Sequence, residues 1–233
     1  MRRGVRGRPH KTQVHPNDLQ MKLIAEKLSA RRGGRLLFAG LSFAVDAGEA
    51  LLVTGPNGAG KTSLLRILAG FLPPELGQIR LEGVAAAEEG IAEQCHYVGH
   101  ANAIKASLTV AENAAFWRGF LGGGPGQSRQ TGSDRLGTAL ATFSLEALRD
   151  IPAGYLSAGQ QRRAGLVRLL LAPRPIWLLD EPTASLDQAG QEALAVAVNT
   201  HLAGGGLVAA ATHMPLGFPA RELRLGRPAA AAA

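Results

Sequence analysis

The chain has 233 residues, 46% apolar and 18% charged, enough for one sizeable α/β domain with a buried core. Its single cysteine, Cys95, excludes an internal disulfide framework and suits a reducing cytosol. The net charge is +7, but Arg2, Arg3, Arg6, Arg8 and Lys11 outweigh Asp18 by four within residues 1–20, leaving only +3 on the rest. Such a tail can bind nucleic acid or anionic lipid, but a solvated, disordered leader is the expectation here. No stretch reaches the ~20 apolar residues of a membrane helix. The nearest, 193–212, is interrupted by Asn199, His201 and three glycines. The N-terminus has no apolar run to make a secretory signal. For work at a membrane, another chain must supply the spans.

In chain order, residues 1–20 hold proline and glycine breaks and no apolar periodicity, and Met21 is a candidate translation start. Residues 21–30 predict a first strand. Residues 41–55 predict strand, turn, strand, with Asp46, Ala47, Gly48 and Glu49 forming the turn. The continuous apolar run 50–53 suits a strand buried on both faces. Residues 62–69 have helical spacing, with Leu64, Leu65 and Leu68 on one face, Gly70 as cap, and Pro73 and Pro74 beyond. Residues 77–83 predict a further strand, and Cys95 is expected to be a small, half-buried hydrophobe. Residues 101–154 are mainly helical in pattern, broken by a glycine-rich surface loop at 122–133. A second long helix is expected at 161–171, ended by Pro173, followed by buried strands at 175–182 and 206–213. There is no internal repeat, and the alanine-rich end is expected to be disordered.

Gly55, Pro56, Asn57, Gly58, Ala59, Gly60, Lys61 and Thr62, followed by Ser63, fit the phosphate-binding pattern G-x-x-x-x-G-K-[ST]. The motif follows a predicted buried strand and opens a helix. Glycines let backbone N–H groups turn inward around a β-phosphate, and the helix N-terminus adds partial positive charge. Lys61 is expected to bridge the β- and γ-phosphates of ATP, and the Thr62 hydroxyl to ligate Mg²⁺. The apolar run 175–179 ends in Asp180 and Glu181. An apolar strand finishing in acids is unusual unless the acids meet a cation or ligand. Asp180 is expected in the Mg²⁺ shell. Glu181 points elsewhere, because side chains alternate along a strand, and is expected to polarise the attacking water.

The segment 155–163, YLSAGQQRR, resembles the LSGGQ signature of ATP-binding-cassette (ABC) ATPases through Leu156, Ser157, Gly159 and Gln160, with Ala158 in place of a glycine. The same residues also spell a helix cap, Ser157 followed three positions later by Gln160. TASLD (183–187) resembles the family's D-loop, and ATHMP (211–215) its switch-histidine loop. The resemblance extends from about residue 21 to 225. It implies a P-loop α/β fold with a RecA-like core, an antiparallel β subdomain and a helical subdomain at about 101–172, flanked by a disordered extension at 1–20 and a tail at 226–233. It further implies ATP hydrolysis with Glu181, His213 and Lys61 as catalytic residues, and ATP and Mg²⁺ as cofactors. Two subunits would sandwich ATP head to tail, Ser157, Gly159 and Gln160 of one facing nucleotide on the other and Asp187 lying near the seam.

Two departures matter. His100 stands where the family carries a glutamine that senses Mg²⁺ and the transporter, so the metal set is expected to be Thr62, Asp180 and His100. Where the family has an aromatic residue that stacks on adenine, the chain has ARRGGR (30–35), leaving Arg31 or Arg32 for that place. His100 and the alanine of the signature resemble the haem-exporter ATPases of cytochrome c maturation. That resemblance implies a peripheral subunit on the cytoplasmic face of the inner membrane, bound to integral membrane subunits, driving release of a haem-loaded chaperone and binding no specific nucleic acid. Alternatives are an exporter of another cargo, a soluble nucleic-acid-linked ABC ATPase and a non-hydrolysing scaffold cassette. Intact Lys61, Asp180, Glu181 and His213 speak against the last.

Overall fold

A computed structural model describes residues 21–83, 90–121, 132–214 and 216–226. The expected disordered extension 1–20, most of the glycine-rich loop at 122–133, and most of the tail 226–233 lie outside the described residues.

Strand β1 (Lys22–Arg32) is the centre of an antiparallel sheet, between β2 (Arg35–Asp46) and β4 (Leu76–Glu82). Leu23, Ala25, Leu28 and Ala30 of β1 are all buried, although Ala25 and Leu28 are three apart. A bulge at this point, with Lys27 at φ 49°, re-phases the alternation and returns Leu28 to the inner face. The bulge requires Gly77 opposite it, because a Cβ there would lie 2.3 Å from the carbonyl oxygen of Glu26.

The second sheet is parallel, ordered β5–β6–β7–β3–β8, with β3 Ala50–Thr54, β5 Cys95–Val98, β6 Ile176–Asp180, β7 Leu207–Ala211 and β8 Arg221–Arg224. Its central strands bury both faces, which is why they are short, unbroken apolar runs. Alternation sends Ile176 and Leu178 towards a core shared with the antiparallel sheet and α1 (Lys61–Leu68). Trp177 and Leu179 go to a second core, which they share with the helices α2 (Val110–Leu121), α3 (Gly132–Thr142), α4 (Ala158–Leu166), α5 (Arg168–Leu171) and α6 (Gln188–Ala203). Each fully buried leucine contributes roughly 1.5–3 kcal/mol.

Gly70, at φ 72°, ends α1; its N–H and that of Phe71 donate to Ile67 and Arg66 carbonyls at 3.0 and 2.9 Å. The stretch 193–212, nearest in the sequence to a membrane span, divides into α6, a glycine turn and β7. Among the described residues no helix is long and apolar enough to cross a membrane.

Three expectations change. The helix expected at 161–171 begins at Ala158, because Ser157 and Gln160 form a capping box, and it is divided at Val167 into α4 and α5. Helix α3 starts at Gly132, inside the expected loop. Cys95 is buried at 3% exposure rather than half-buried, and burial pushes its thiol up to about 11.

Candidate nucleotide site at the carboxyl edge of the parallel sheet

Because β3, β6 and β7 run parallel, the segments leaving their carboxyl ends meet at one edge. There they line a cleft of about 360 Å³. From the glycine loop, Asn57, Gly58, Gly60, Lys61, Thr62 and Ser63 reach it, Asp180 and Glu181 come from β6, and His213 follows β7. Gly55, Pro56 and Ala59 shape the loop without lining the cleft. Gly55 has φ 137°, and a Cβ on it would meet the Leu225 carbonyl oxygen at 2.4 Å. Gly60 has φ 102°, and a Cβ there would press on Leu37 and Phe38 at 3.0 and 3.1 Å. A side chain at either place would collide with these neighbours and strain the turn.

Lys61 is 9% exposed and donates to the Gly55 carbonyl at 2.8 Å and the Pro56 carbonyl at 3.4 Å. Its ammonium also lies 3.1 Å from His213 Nε2. His213 Nε2 is 3.8 Å from Glu181 Oε1. The Thr62 hydroxyl donates to Asp180 Oδ1 at 3.1 Å, and the Tyr97 hydroxyl to Asp180 Oδ2 at 3.3 Å. Burial pushes the Tyr97 phenol up, which keeps it a donor.

Thr62 and Asp180 form an all-oxygen pair on adjoining elements, the donor chemistry a hard divalent cation takes. Among the described residues no cluster of acids, histidines or cysteines could hold a metal alone. The pair therefore fits a hard divalent cation such as Mg²⁺ as part of a ligand set and not as the whole of it.

Several expected residues lie elsewhere. His100 is exposed and lines a separate cavity of about 680 Å³ beside Tyr97 and Trp117; it is not brought to Thr62 and Asp180. Ser157, Gly159 and Gln160 open α4 outside the cleft, with Gln160 N–H donating to Ser157 Oγ at 3.3 Å and Ser157 N–H to Gln160 Oε1 at 2.9 Å. Asp187 is the N-cap of α6, accepting from Gly190 N–H at 3.0 Å. Of the two candidate arginines, Arg31 pairs with Glu75 at 2.9 Å, whereas Arg32 lines the cleft.

Sequence reasoning missed Tyr97 and Arg162. Both act through tertiary contacts that no local spacing announces.

A family model described as ABC transporter matches residues 38–184. This chain belongs to the ABC transporter family. It is 55% identical over 206 residues to the cytochrome c biogenesis ATP-binding export protein CcmA of Nitrobacter hamburgensis, covering 88% of this chain and 98% of that protein. The protein of the same name from Mesorhizobium japonicum is 50% identical over the same length and coverage. Among solved structures, an ATP-binding subunit of an ABC transporter superposes with a TM-score of 0.71 at 25% identity, covering 82% of this chain and 79% of that one. A putative ABC transporter ATP-binding protein from Pyrococcus furiosus gives 0.74 at 22% identity, covering 88% of this chain and 97% of that one. The fold is therefore the ABC-ATPase fold, with its antiparallel sheet, parallel nucleotide-binding core and helical layer.

Proposed function

We propose that this chain is the ATP-hydrolysing subunit of the haem exporter of cytochrome c maturation, working as a pair beneath integral membrane subunits on the cytoplasmic face of the inner membrane. One observation carries the chemistry. Lys61, Thr62, Asp180, Glu181 and His213 converge on one cleft from three parallel strand ends. The cargo rests on the likeness to cytochrome c biogenesis export proteins.

In this reading, inward-turned amides of the glycine loop hold the β-phosphate of ATP, and Lys61 neutralises the β- and γ-phosphates. Thr62 and Asp180 would hold Mg²⁺, which would supply charge neutralisation to the phosphates. Glu181 accepts hydrogen-bonding from the attacking water, and His213 meets the γ-phosphate. Ser157, Gly159 and Gln160 lie outside their own chain's cleft. That supports a partner subunit closing it, with water excluded and charge preorganised. Asp187, at the head of α6, would lie at that seam. Hydrolysis removes the bridging phosphate and loosens the pair, and the membrane subunits use that motion to release the haem-loaded chaperone.

The test is c-type cytochrome content, by haem staining of membrane fractions, in a host lacking this gene. Its loss, restored by the wild-type chain and not by Lys61→Ala, is expected. Normal cytochromes in the deletion host would overturn the cargo.

A further inference from the structure

We propose that Arg162 is a positioning residue that ties the aim of Glu181 to the placement of helix α4. The proposal rests on the reading of Glu181 as the base. Arg162 lies inside the signature helix and is 3% exposed. Among the described residues its hydrogen bonds go to two segments of the chain and none to a carboxylate. Nη2 donates to the Glu181 carbonyl at 2.8 Å and reaches the Asp180 carbonyl at 3.5 Å. Nε donates to the Pro182 carbonyl at 3.3 Å. Nη1 donates to the Gly99 carbonyl at 2.9 Å and to Asn102 Oδ1 at 3.4 Å. One rigid, planar fork thus spans the turn after β6 and the segment after β5.

The backbone at Glu181 gives those bonds their use. Glu181 has φ 47°, the left-handed region that a non-glycine residue occupies only when held there. Its N–H donates to the Ala211 carbonyl at 2.7 Å. Its own carbonyl accepts from Arg162 and, at 3.2 Å, from the Ala184 N–H. A shift of the guanidinium therefore moves one of the few anchors of a strained peptide, and with it the direction of the carboxylate. Burial pulls the Arg162 pKa below the usual arginine range. A buried cation bonded only to neutral acceptors is no efficient source of stability, since an apolar side chain of the same volume often serves as well. What the fork supplies is geometry.

The same helix begins at Ser157, the residue expected to meet nucleotide on the partner subunit, and its capping box ties that residue to the helix. Gly165, where a Cβ would lie 2.6 Å from the Asn102 carbonyl oxygen, lets the segment after β5 press directly on the helix. Closure of a partner on Ser157, or displacement of the segment 99–102, would reach Glu181 through Arg162.

The experiment uses the full-length chain in its purified transporter complex. ATP affinity by equilibrium binding, steady-state kcat and KM, and the thermal midpoint are compared for Arg162→Lys, Arg162→Gln and Glu181→Gln. Misaiming a catalytic group by about 1 Å can lower turnover on the order of 10²-fold. The expected result is therefore a fall in kcat of about 10²-fold for Arg162→Gln and about tenfold for Arg162→Lys, which keeps the charge but not the fork. ATP affinity should stay within about twofold, because among the described residues Arg162 reaches the expected metal pair only at the Asp180 main-chain carbonyl, not at its carboxylate, and bonds to no residue of the glycine loop. Unchanged kcat in both variants overturns the proposal. So does loss of ATP binding together with turnover in both, which would make Arg162 a purely structural residue. Normal turnover of Glu181→Gln would instead remove the base assignment on which the proposal stands.

Discussion

At the carboxyl edge of the parallel sheet, Lys61, Thr62, Asp180 and His213 are bonded to partners from other strand ends. At the start of α4, by contrast, Ser157 and Gln160 are bonded to each other, and Ser157 is exposed. The first region is assembled from segments more than a hundred residues apart and is held in shape before any ligand arrives. The second is a local turn whose side chains are satisfied by their own helix. Under the proposed function, binding and water activation belong to one chain, while a partner subunit completes the site. Arg162 joins the two regions through the carbonyls after β6.

The largest effect should come from the first region. Lys61→Ala removes the buried ammonium of the cleft, and ATP affinity should fall about 10²-fold or more in equilibrium binding. Unchanged affinity would break the comparison at its root, since the cleft would then not be the binding half.

Gly55→Ala tests whether the cradle depends on backbone geometry. A Cβ 2.4 Å from the Leu225 carbonyl oxygen, at φ 137°, should lower unfolding free energy by about 3 kcal/mol in a urea titration. Gly58→Ala, at φ 78° with nothing within 4 Å, should lose only about 1 kcal/mol. Equal losses would mean that the close approach of Leu225 carries no weight.

The packing of β5 against the segment after α5, where His96 Nε2 donates to the Ala172 carbonyl at 2.8 Å, should be acid-sensitive. Burial lowers His96 from 6.5 to about 4, so the fold holds it neutral. Below pH 6.5 the unfolded chain takes up a proton there that the folded chain refuses until about pH 4. Stability should therefore be full above pH 6.5 and decline towards pH 4, by up to about 3 kcal/mol. His201, also lowered by burial, acts in the same direction. Urea midpoints between pH 7.5 and 4.5 check the slope, and His96→Gln should flatten part of it. A slope unchanged by that variant would assign acid sensitivity to other groups.

The smallest thermodynamic change belongs to the signature turn. Ser157→Ala should lose about 1 kcal/mol of stability through its cap while leaving ATP affinity of the single chain unaltered. Turnover of the paired complex should nevertheless fall about tenfold or more. A matching fall in single-chain affinity would erase the distinction between the two regions.

What could be read from the sequence follows the same division. The glycine loop, the buried strands and the acid pair are contiguous patterns, each with its own local physics, and the structure assembles them at one edge. The capping box was equally local. Arg162 was not legible, because its meaning lies in the Gly99 and Glu181 carbonyls, which folding brings to it from distant parts of the chain. Strand β8 escaped notice because Arg221, Glu222 and Arg224 break the apolar alternation on a sheet edge. His100 shows the converse. Motif order named it for the metal, but the loop after β5 leaves it exposed beside another cavity.

The most direct measurement is a single-turnover experiment on the full-length complex, with Glu181→Gln beside the wild-type chain and ATP binding recorded on the same samples. Retained ATP affinity, with hydrolysis reduced by about 10³-fold or more, is the predicted result. Hydrolysis at the wild-type rate in that variant would contradict the assignment of water activation to the acid at the end of β6.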